Sequence, residues 1–337
     1  MTEARQALLC ERLADDLSGL AWRPLPPPSQ PLAEHEVRLR VLRCALNFPD
    51  LLMTQGLYHL RPELPFVPGM EGVGQVLQAG AAARAAGHEP GALRVFTAKQ
   101  GGLASEWVGP AGALQPVPAG LSLDEAAAFF VTGLTAWVAL ARIGRLQPGE
   151  TLLVHGARGG VGQACVQLGR HLGARVIATA SDAARLAALL PRDVTCLAAD
   201  EGLADAVLAA TGGRGADVVA DPVGGAVFEA SLRCAAYGGR ILVLGFASGQ
   251  LPQLKLQRVL NRGLAVLGVR AGEYGRRHPQ QAAEHAAAVL HLAAAGVLRP
   301  SVGAVFEFHQ AVEALRAMQL RQVAGKIVVR IAEPERA

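Results

Sequence analysis

Four glycines lie between residues 156 and 162, and their spacing indicates phosphate binding. Gly156, Gly159 and Gly162 follow the pattern G-x-x-G-x-x-G, and Gly160 adds a fourth glycine. Because glycine has no Cβ, the backbone N–H groups of such a loop can approach a pyrophosphate at the positive end of a helix. The other loop residues, which we expect beside the same ligand, are Ala157, Arg158 and Val161.

The elements on either side of this loop are those that a dinucleotide-binding fold requires. Residues 151–154 form a short apolar run, typical of a strand that is buried on both faces. Apolar residues then recur at helical spacing up to Gly173, and a second apolar run begins at Arg175. A glycine-rich structural turn in another α/β protein is the alternative. The order strand, loop, helix and strand favours a dinucleotide site.

The end of the second strand indicates which dinucleotide is bound. NAD sites usually place an acidic residue there, whereas this strand ends in Ala180 and Ser181. Ser181 and Arg185 can donate hydrogen bonds to a ribose 2′-phosphate, and Arg158 could add a second cation. Asp182 could serve a 2′-OH instead, although we favour its role as the N-cap of a helix over 183–190. The pattern therefore predicts NADPH as the cofactor.

The composition suits two ordinary domains and argues against several other classes of protein. The chain has 337 residues, of which 51% are hydrophobic and only 4% aromatic, and its net charge is +4. Scattered arginines and few aromatic residues argue against a nucleic-acid partner. The sequence has no apolar run of membrane-spanning length and no signal-peptide pattern at its amino terminus, so we expect a cytoplasmic protein without membrane contact. We expect buried free thiols at Cys10, Cys44, Cys165, Cys196 and Cys234.

Hydrophobic periodicity predicts an α/β fold with two domains. Residues 1–125 hold short strands and turns of a largely β first domain, and a helical pattern over 123–141 is interrupted by VTGLTA at 131–136. The repeats over 126–270 predict a six-stranded, doubly wound parallel sheet. We expect the remainder, 271–337, to return to the first domain and complete it.

Seven motifs together give the chain a family resemblance. They are ALNFPDLLMTQGLY at 45–58, PFVPGMEGVG at 65–74, VTGLTA at 131–136, HGARGGVGQACVQL at 155–168, DPVGG at 221–225, GGRILVLGFASG at 238–249 and AGKIVV at 324–329. The sequence resembles the medium-chain dehydrogenase/reductase superfamily, and specifically its zinc-free quinone oxidoreductase branch, which includes zeta-crystallin. The resemblance implies a GroES-like β-rich catalytic domain and a Rossmann domain in a homodimer. It also implies NADPH-dependent reduction of quinones or α,β-unsaturated carbonyls.

The same resemblance bears on metal binding. Zinc-dependent members of the superfamily have a cysteine where Asn47 stands, a histidine where Met70 stands and another cysteine near Ala128. An amide, a thioether and a methyl group do not make a zinc site, so we expect no metal. Hydride donation to an electron-poor acceptor remains feasible without a Lewis acid.

Three residues follow family positions near the reacting groups. Tyr58 stands where related enoyl thioester reductases have a catalytic tyrosine, and its alternative role is an aromatic that packs on substrate. Asn47 is implied to lie beside the nicotinamide and to bond to cofactor or substrate, the alternative being a local cap of its own turn. Thr132 matches a position that packs on the nicotinamide, and a plain helix-turn role is the alternative.

Other residues follow the family's cofactor contacts. Phe246 and Ala247 are implied to border the nicotinamide riboside, and Val269 with Arg270 to cover it from the next strand. Lys326 matches the terminal G-K motif, where a cationic contact to the cofactor is possible. A solvated surface lysine is the alternative for that position.

Two other functions compete with quinone or enone reduction. An enoyl thioester reductase would need a basic channel for a carrier phosphopantetheine, to which Arg61 or the pair Arg276 and Arg277 could belong. A non-catalytic, NADPH-binding structural or regulatory protein is the third interpretation, because the family includes lens crystallins. Turnover of a quinone and of a thioester with NADPH separates the three.

Overall fold

The computed structural model describes residues 5–26 and 31–335. The chain forms two compact units, one made of Met1–Val131 with Pro300–Ala337 and the other of Thr132–Arg299. We call the first the β-rich domain and the second the parallel-sheet domain. None of the helices in the described ranges has the length and apolarity that a membrane crossing requires.

Fifteen strands and twelve α-helices make up the described part of the chain. The strands are β1 (Gln6–Cys10), β2 (Leu20–Pro24), β3 (Glu36–Leu46), β4 (Glu71–Ala79), β5 (Leu93–Thr97), β6 (Glu106–Pro110), β7 (Leu114–Pro116), β8 (Thr151–Val154), β9 (Arg175–Ala180), β10 (Thr195–Ala198), β11 (Ala216–Asp221), β12 (Ala235–Val243), β13 (Ala265–Gly268), β14 (Val302–Glu307) and β15 (Lys326–Arg330). The helices are α1 (Phe48–Thr54), α2 (Ala81–Ala85), α3 (Leu123–Ala128), α4 (Phe130–Trp137), α5 (Gly160–His171), α6 (Ala183–Ala187), α7 (Leu203–Ala210), α8 (Gly225–Cys234), α9 (Leu256–Arg262), α10 (Ala271–Arg277), α11 (Pro279–Ala294) and α12 (Ala311–Gln319).

The β-rich domain is built around a sheet to which both ends of the chain contribute. Its strand order is β14-β15-β3-β4-β5-β7, with β6 paired to β3. Strand β15 runs antiparallel to β3, and Ile327 lies opposite Leu46 in their register. Extending this register by one residue places Lys326 opposite Asn47, so two residues that are far apart in the sequence become neighbours.

The parallel-sheet domain confirms the predicted doubly wound architecture. Its six strands are all parallel and follow the order β10-β9-β8-β11-β12-β13. This is the order of the dinucleotide-binding fold, in which β8 is the first strand and occupies the middle of the sheet. All four residues of β8 are buried, as expected for an apolar run covered by helices on both faces.

The domain boundaries differ from the predicted ones at both junctions. The sequence places the changes after residues 125 and 270, whereas the structure places them after Val131 and Arg299. Helices α10 and α11 stay with the parallel-sheet domain, because Tyr274 is hydrogen bonded to Arg142 and Val289 packs close to Gly133. In the structure the β-rich domain consists of two separate segments of the chain, and 271–299 does not belong to it.

The helical stretch after residue 122 is interrupted at a different point from the predicted one. The structure ends α3 at Ala128 and begins α4 at Phe130, so VTGLTA at 131–136 is itself helical. A π-helical segment, Val138–Ile143, follows directly. A Cβ at Gly133 would lie 3.1 Å from Val289 Cγ1, so the glycine of this motif permits close helix packing and does not mark a break.

Candidate functional site

The glycine loop has the geometry that its spacing predicts. It connects β8 to α5, with Gly156 at φ +59° and Gly159 as the N-cap of the helix. A Cβ on Gly162 would lie 2.5 Å from Gly156 O and 2.7 Å from Ala157 Cα, so the helix meets the loop at a distance that only glycine allows. Gly156 and Gly162 are therefore required by the backbone conformation of the loop and by its close approach to the helix.

Backbone hydrogen bonds fix this loop between the two strands. Ala157 N donates to Thr179 O (3.0 Å) on β9, and Gly159 N donates to Gly156 O (2.9 Å). The first N–H groups of α5, from Gly160 onward, have no partner within the helix because they belong to its first turn. Their dipoles make this end of α5 suited to a pyrophosphate.

Arg158 provides an independent indication of an anionic ligand at the loop. Its Nε is buried and has no hydrogen-bond partner within the described residues. The backbone beside it is held in place, because Gln163 Nε2 donates to Arg158 O (3.0 Å). A buried guanidinium N–H without an acceptor is costly unless a ligand supplies one, and a phosphate oxygen would do so. The loop residues therefore fit a dinucleotide.

The end of β9 shows what Asp182 does. Asp182 Oδ1 accepts from Arg185 N (2.9 Å) as the N-cap of α6, so the capping role predicted for it is confirmed. The same carboxylate lies 3.2 Å from Arg185 Nε. Ser181 and Arg185 are both exposed, which leaves them available to a ligand at this edge.

The residues expected around the nicotinamide occupy the ends of the later strands. Ala247 N donates to Pro222 O (3.0 Å), and Val269 N donates to Val243 O (2.9 Å), so both backbones are fixed next to the sheet. Phe246 is exposed and Arg270 is exposed, whereas Thr132 on α4 is buried. Their contacts with a cofactor stay predictions.

A buried imidazole lies at the root of the glycine loop, and sequence reasoning missed it. His155 is fully buried, with Nδ1 2.9 Å from Thr179 Oγ1 and Nε2 2.7 Å from Ser231 Oγ. Ser231 Oγ donates to Val227 O (2.8 Å), so it must accept from Nε2–H, and Nδ1 must accept from the Thr179 hydroxyl. We call His155, Thr179 and Ser231 the imidazole cluster.

Burial keeps the imidazole cluster neutral. It lowers the pKa of His155 to about 4, and the carboxylate of Asp221 opposes this shift only in part. Asp221 Oδ1 accepts from the N–H groups of Val223 (2.8 Å) and Gly224 (2.9 Å). The polar residue that ends the apolar run TLLVH was the signal that could have drawn attention to this site.

The β-rich domain contains a second buried cluster, centred on Lys326. Lys326 is 4% exposed, and its ammonium donates to Glu71 Oε1 (2.7 Å), Asn47 Oδ1 (2.7 Å) and Leu46 O (2.9 Å). Asn47 Nδ2 also donates to Glu71 Oε1 (2.9 Å). The alternative of a solvated surface lysine is therefore wrong, because Lys326 is enclosed by three acceptors of its own domain. The cofactor contact of Lys326 stays a prediction.

Asp50 completes this cluster and holds the loop that leads into it. Its Oδ2 accepts from Asn47 N (2.8 Å), and its Oδ1 accepts from Gly69 N (3.0 Å). Burial raises the pKa of Asp50 to about 7, although both backbone hydrogen bonds favour the carboxylate. We call Asn47, Asp50, Glu71 and Lys326 the charged cluster.

Asn47 and Tyr58 lie at opposite ends of helix α1. Asn47 is the N-cap residue, yet its side chain bonds to Lys326 and Glu71, so its carboxamide serves the charged cluster. Tyr58 follows the helix, and its ring centroid lies 4.0 Å from that of His59, with the two rings tilted by 47°. It also packs against the apolar group that includes Met53 and Phe66. The packing role of Tyr58 is visible, and its catalytic role stays a prediction.

Glu71 is the second residue that sequence reasoning missed. It is fully buried, and it accepts hydrogen bonds from Lys326, from Asn47 and, through Oε2, from Val131 N (3.0 Å). The signal was a single carboxylate in the otherwise apolar and glycine-rich motif PGMEGVG. A buried carboxylate needs such partners, and the sequence offered no way to name them.

Two family models match the chain, one for each domain. The model described as "Alcohol dehydrogenase GroES-like domain" matches residues 33–116, and the one described as "Zinc-binding dehydrogenase" matches residues 160–288. The "Quinone oxidoreductase-like protein 2 homolog" of Nematostella vectensis is 35% identical over 301 residues, which cover 88% of this chain and 82% of that protein.

Solved structures show the same relationship over nearly the full chain. The quinone oxidoreductase of Thermus thermophilus, whose structure includes a complex with NADPH, is 37% identical with a TM-score of 0.80 and covers 96% of this chain and 99% of its own. The CurK enoyl reductase is 26% identical with a TM-score of 0.86 and covers 98% and 100%. The chain belongs to the medium-chain dehydrogenase/reductase family, alongside its quinone oxidoreductase-like members. It is accordingly an oxidoreductase that binds NAD(P)H, with a GroES-like domain and a Rossmann domain.

Proposed function

We propose that the chain is an NADPH-dependent reductase that transfers hydride to a quinone or an α,β-unsaturated carbonyl without a metal. The observation that carries the proposal is the glycine loop with the unpartnered, buried Nε of Arg158 beside it. The similarity to a quinone oxidoreductase that forms a complex with NADPH supports the same cofactor and acceptor class.

The residues at the three family zinc positions do not fit a metal. Asn47, Met70 and Ala128 offer an amide, a thioether and a methyl group. The amide oxygen of Asn47 already accepts from Lys326 Nζ at 2.7 Å, and a fixed ammonium at that point would repel Zn²⁺. We expect purified protein to contain no stoichiometric zinc, which metal analysis tests directly.

The role proposed for each residue follows from the negatively charged group of the cofactor or substrate that it would contact. The reduced nicotinamide, when bound, supplies the hydride. The first turn of α5 holds the pyrophosphate, and Ser181, Arg185 and Arg158 hold the 2′-phosphate. As the acceptor gains hydride, negative charge develops on its carbonyl oxygen, and we propose that the Tyr58 hydroxyl donates a hydrogen bond to it.

The cofactor preference is tested by removing the donors at the end of β9. In the double variant Ser181→Ala/Arg185→Met, we expect the NADPH dissociation constant to rise about 10- to 100-fold, because a charge-assisted hydrogen bond and an ion pair are lost. The NADH dissociation constant should stay within twofold. Arg192→Met, another exposed arginine of this domain, is the matched control. Equal affinities of the unaltered protein for NADPH and NADH would contradict the assignment.

An enoyl thioester reductase is the second candidate, because the CurK enoyl reductase has the same fold over the whole chain. The pair expected to line a basic channel is partly neutralised, since Arg276 and Arg277 both bind Glu273, at 2.7 and 2.8 Å. Rates with a 1,4-quinone and with a crotonyl thioester distinguish the candidates. Tyr58→Phe should slow the preferred reaction, and unchanged rates on both would remove Tyr58 from the mechanism.

We further propose a homodimer formed through the parallel-sheet domain. Strand β13 is the last strand of its sheet, and the exposed side chains of Leu256, Leu260 and Tyr237 lie on the neighbouring α9 and on β12. Leu256→Glu should shift the protein toward monomer in sedimentation experiments, and Leu64→Glu in the β-rich domain should not. The five free cysteines support a reducing, cytoplasmic location.

A further inference from the structure

The environment of Lys326 is that of a fixed internal cation. The sequence has only three lysines, and Lys99 and Lys255 are exposed whereas Lys326 is buried. An ammonium has three N–H donors, and those of Lys326 are matched by Glu71 Oε1, Asn47 Oδ1 and Leu46 O. A side chain that is committed in this way has no donor left for a ligand in this conformation.

These contacts determine the orientation of the Asn47 carboxamide. Its oxygen faces the ammonium at 2.7 Å and its nitrogen faces the Glu71 carboxylate at 2.9 Å. A flipped amide would place N–H groups against a cation and an oxygen against an anion, and both contacts would be repulsive. The charge pair therefore selects one of the two amide orientations.

The other oxygen of Glu71 extends the arrangement to helix α4. Glu71 Oε2 accepts from Val131 N at 3.0 Å, in the first turn of the helix. A carboxylate at this position accepts from an N–H of the first helical turn and interacts favourably with the helix dipole. Thr132 is the next residue of the same turn.

We propose that Lys326 is a positioning residue: its ammonium holds the Asn47 carboxamide in one orientation and, through Glu71, fixes the turn that carries Thr132. The proposal rests on the proposed function in one respect, namely that Asn47 and Thr132 contact the cofactor. It replaces the cofactor contact predicted for Lys326, and it makes the site dependent on a cation of ammonium size.

Chemical rescue tests this dependence. Lys326→Ala should leave a cavity that keeps the acceptor atoms of Glu71 and Asn47. We expect kcat to fall about 10- to 100-fold, as for other small misplacements of reacting groups, while KM for NADPH changes less than twofold. Ammonium or methylammonium should restore most of kcat and raise Tm, whereas tetramethylammonium, which has no N–H donor, should do neither.

The matched control for rescue is Lys99→Ala, which removes an exposed lysine of the same domain. It should show unchanged kinetics with and without ammonium. A Lys326→Ala protein that is folded but does not respond to ammonium would overturn the proposal. A large rise in KM for NADPH with kcat retained would also overturn it, because that result indicates a direct cofactor contact.

A second variant separates positioning from stability. Lys326→Met/Glu71→Gln removes the buried ammonium together with its counter-ion, so we expect a Tm close to that of the unaltered protein. If Lys326 positions Asn47, kcat should remain low in this stable variant. Recovery of both Tm and kcat would show a purely structural role and overturn the proposal.

Hydrogen exchange at Val131 provides a readout that does not require any reaction. Glu71→Gln should accelerate exchange of the Val131 amide, since its acceptor loses charge, and Lys326→Ala should do so until ammonium is added. If no acceptor is ever reduced, the proposed function fails while these exchange rates still decide the role of Lys326. Unchanged exchange at Val131 in both variants would overturn that role.

Discussion

Each domain of the chain buries a cluster of hydrogen-bonded polar side chains, and the two clusters handle charge in opposite ways. The charged cluster of the β-rich domain keeps an ammonium and a carboxylate 2.7 Å apart at near-zero exposure. The imidazole cluster of the parallel-sheet domain holds His155 between two hydroxyl groups, and burial keeps it neutral. The difference shows two ways of satisfying polar groups where water is excluded.

The two arrangements should respond differently when one member is lost. A neutral donor or acceptor that loses its partner costs about 1–3 kcal/mol, whereas a buried charge that loses its partner costs about 3–5 kcal/mol. The charged cluster should therefore lose more stability than the imidazole cluster when one of its members is removed.

The largest effect is expected from Glu71→Gln, which leaves the Lys326 ammonium buried without its counter-ion. We expect the free energy of unfolding to fall by about 3–5 kcal/mol, measured by urea denaturation at pH 7. Ser231→Ala in the imidazole cluster should cost only about 1–3 kcal/mol. Glu63→Gln, at an exposed position of the β-rich domain, should be neutral. A Ser231→Ala variant as unstable as Glu71→Gln would contradict the expected difference between the two clusters.

The next effect concerns Asp50, whose pKa is raised to about 7 by burial. Because the folded protein binds this proton more tightly than the unfolded chain, Asp50 favours folding below pH 4 and this contribution is lost as the pH rises to about 7. The change is on the order of 3 kcal/mol. In Asp50→Asn, the fall in the free energy of unfolding between pH 4 and 7 should disappear. An unaltered pH profile in that variant would show that Asp50 does not titrate in this range.

His155 should have the opposite pH dependence. Its pKa is lowered to about 4, so the unfolded chain binds the proton more tightly and stability is lost as the pH falls from 6.5 toward 4. The size is on the order of 2 kcal/mol. In His155→Gln the loss of stability at acid pH should vanish. The pH dependence of the free energy of unfolding that remains should then be the one caused by Asp50. Hydrogen exchange on peptides from each domain shows how the stability of that domain changes with pH. Changes of the same sign in both domains would contradict the opposite pH dependences expected for Asp50 and His155.

The smallest effect is expected at an exposed hydrogen bond outside both clusters. Asp182→Ala removes the N-cap of α6 and should cost about 1 kcal/mol, measured by thermal denaturation. Asp182→Asn retains an acceptor for Arg185 N and should cost only about a few tenths of a kcal/mol. Neither should weaken NADPH binding by more than about threefold. A large loss of NADPH affinity in Asp182→Asn would show that the carboxylate contacts the cofactor.

Local sequence pattern was sufficient for the parallel-sheet domain. Strands such as Ala216–Asp221 and helices such as Leu203–Ala210 form within the repeats over 126–270 that predicted the doubly wound sheet, because their apolar periodicity matches the face that each buries. The glycine loop was also predictable, since its requirement for glycine comes from contacts between residues that are close in sequence, Gly156 and Gly162. Boundaries were less accurate where packing, not periodicity, decides them, as at Gly133.

The charged cluster could not be predicted in the same way. Asn47, Glu71 and Lys326 were visible as individual residues, and a family position drew attention to two of them. Their contacts depend on the pairing of β15 with β3, which joins segments 279 residues apart and leaves no local pattern. The partner of a buried charge is determined by the sheet register, so it becomes known only with the structure.

The pairing of β15 with β3 also has a consequence for synthesis of the chain on the ribosome. The parallel-sheet domain is continuous, so it can fold as soon as residue 299 has emerged. Glu71 is made 255 residues before the lysine that neutralises it, and throughout that interval the nascent β-rich domain carries an acid that cannot yet be enclosed. Closure of its interior is thereby postponed until β15 has been synthesised, so the buried acid meets its counter-ion only after most of the domain that encloses it has been made.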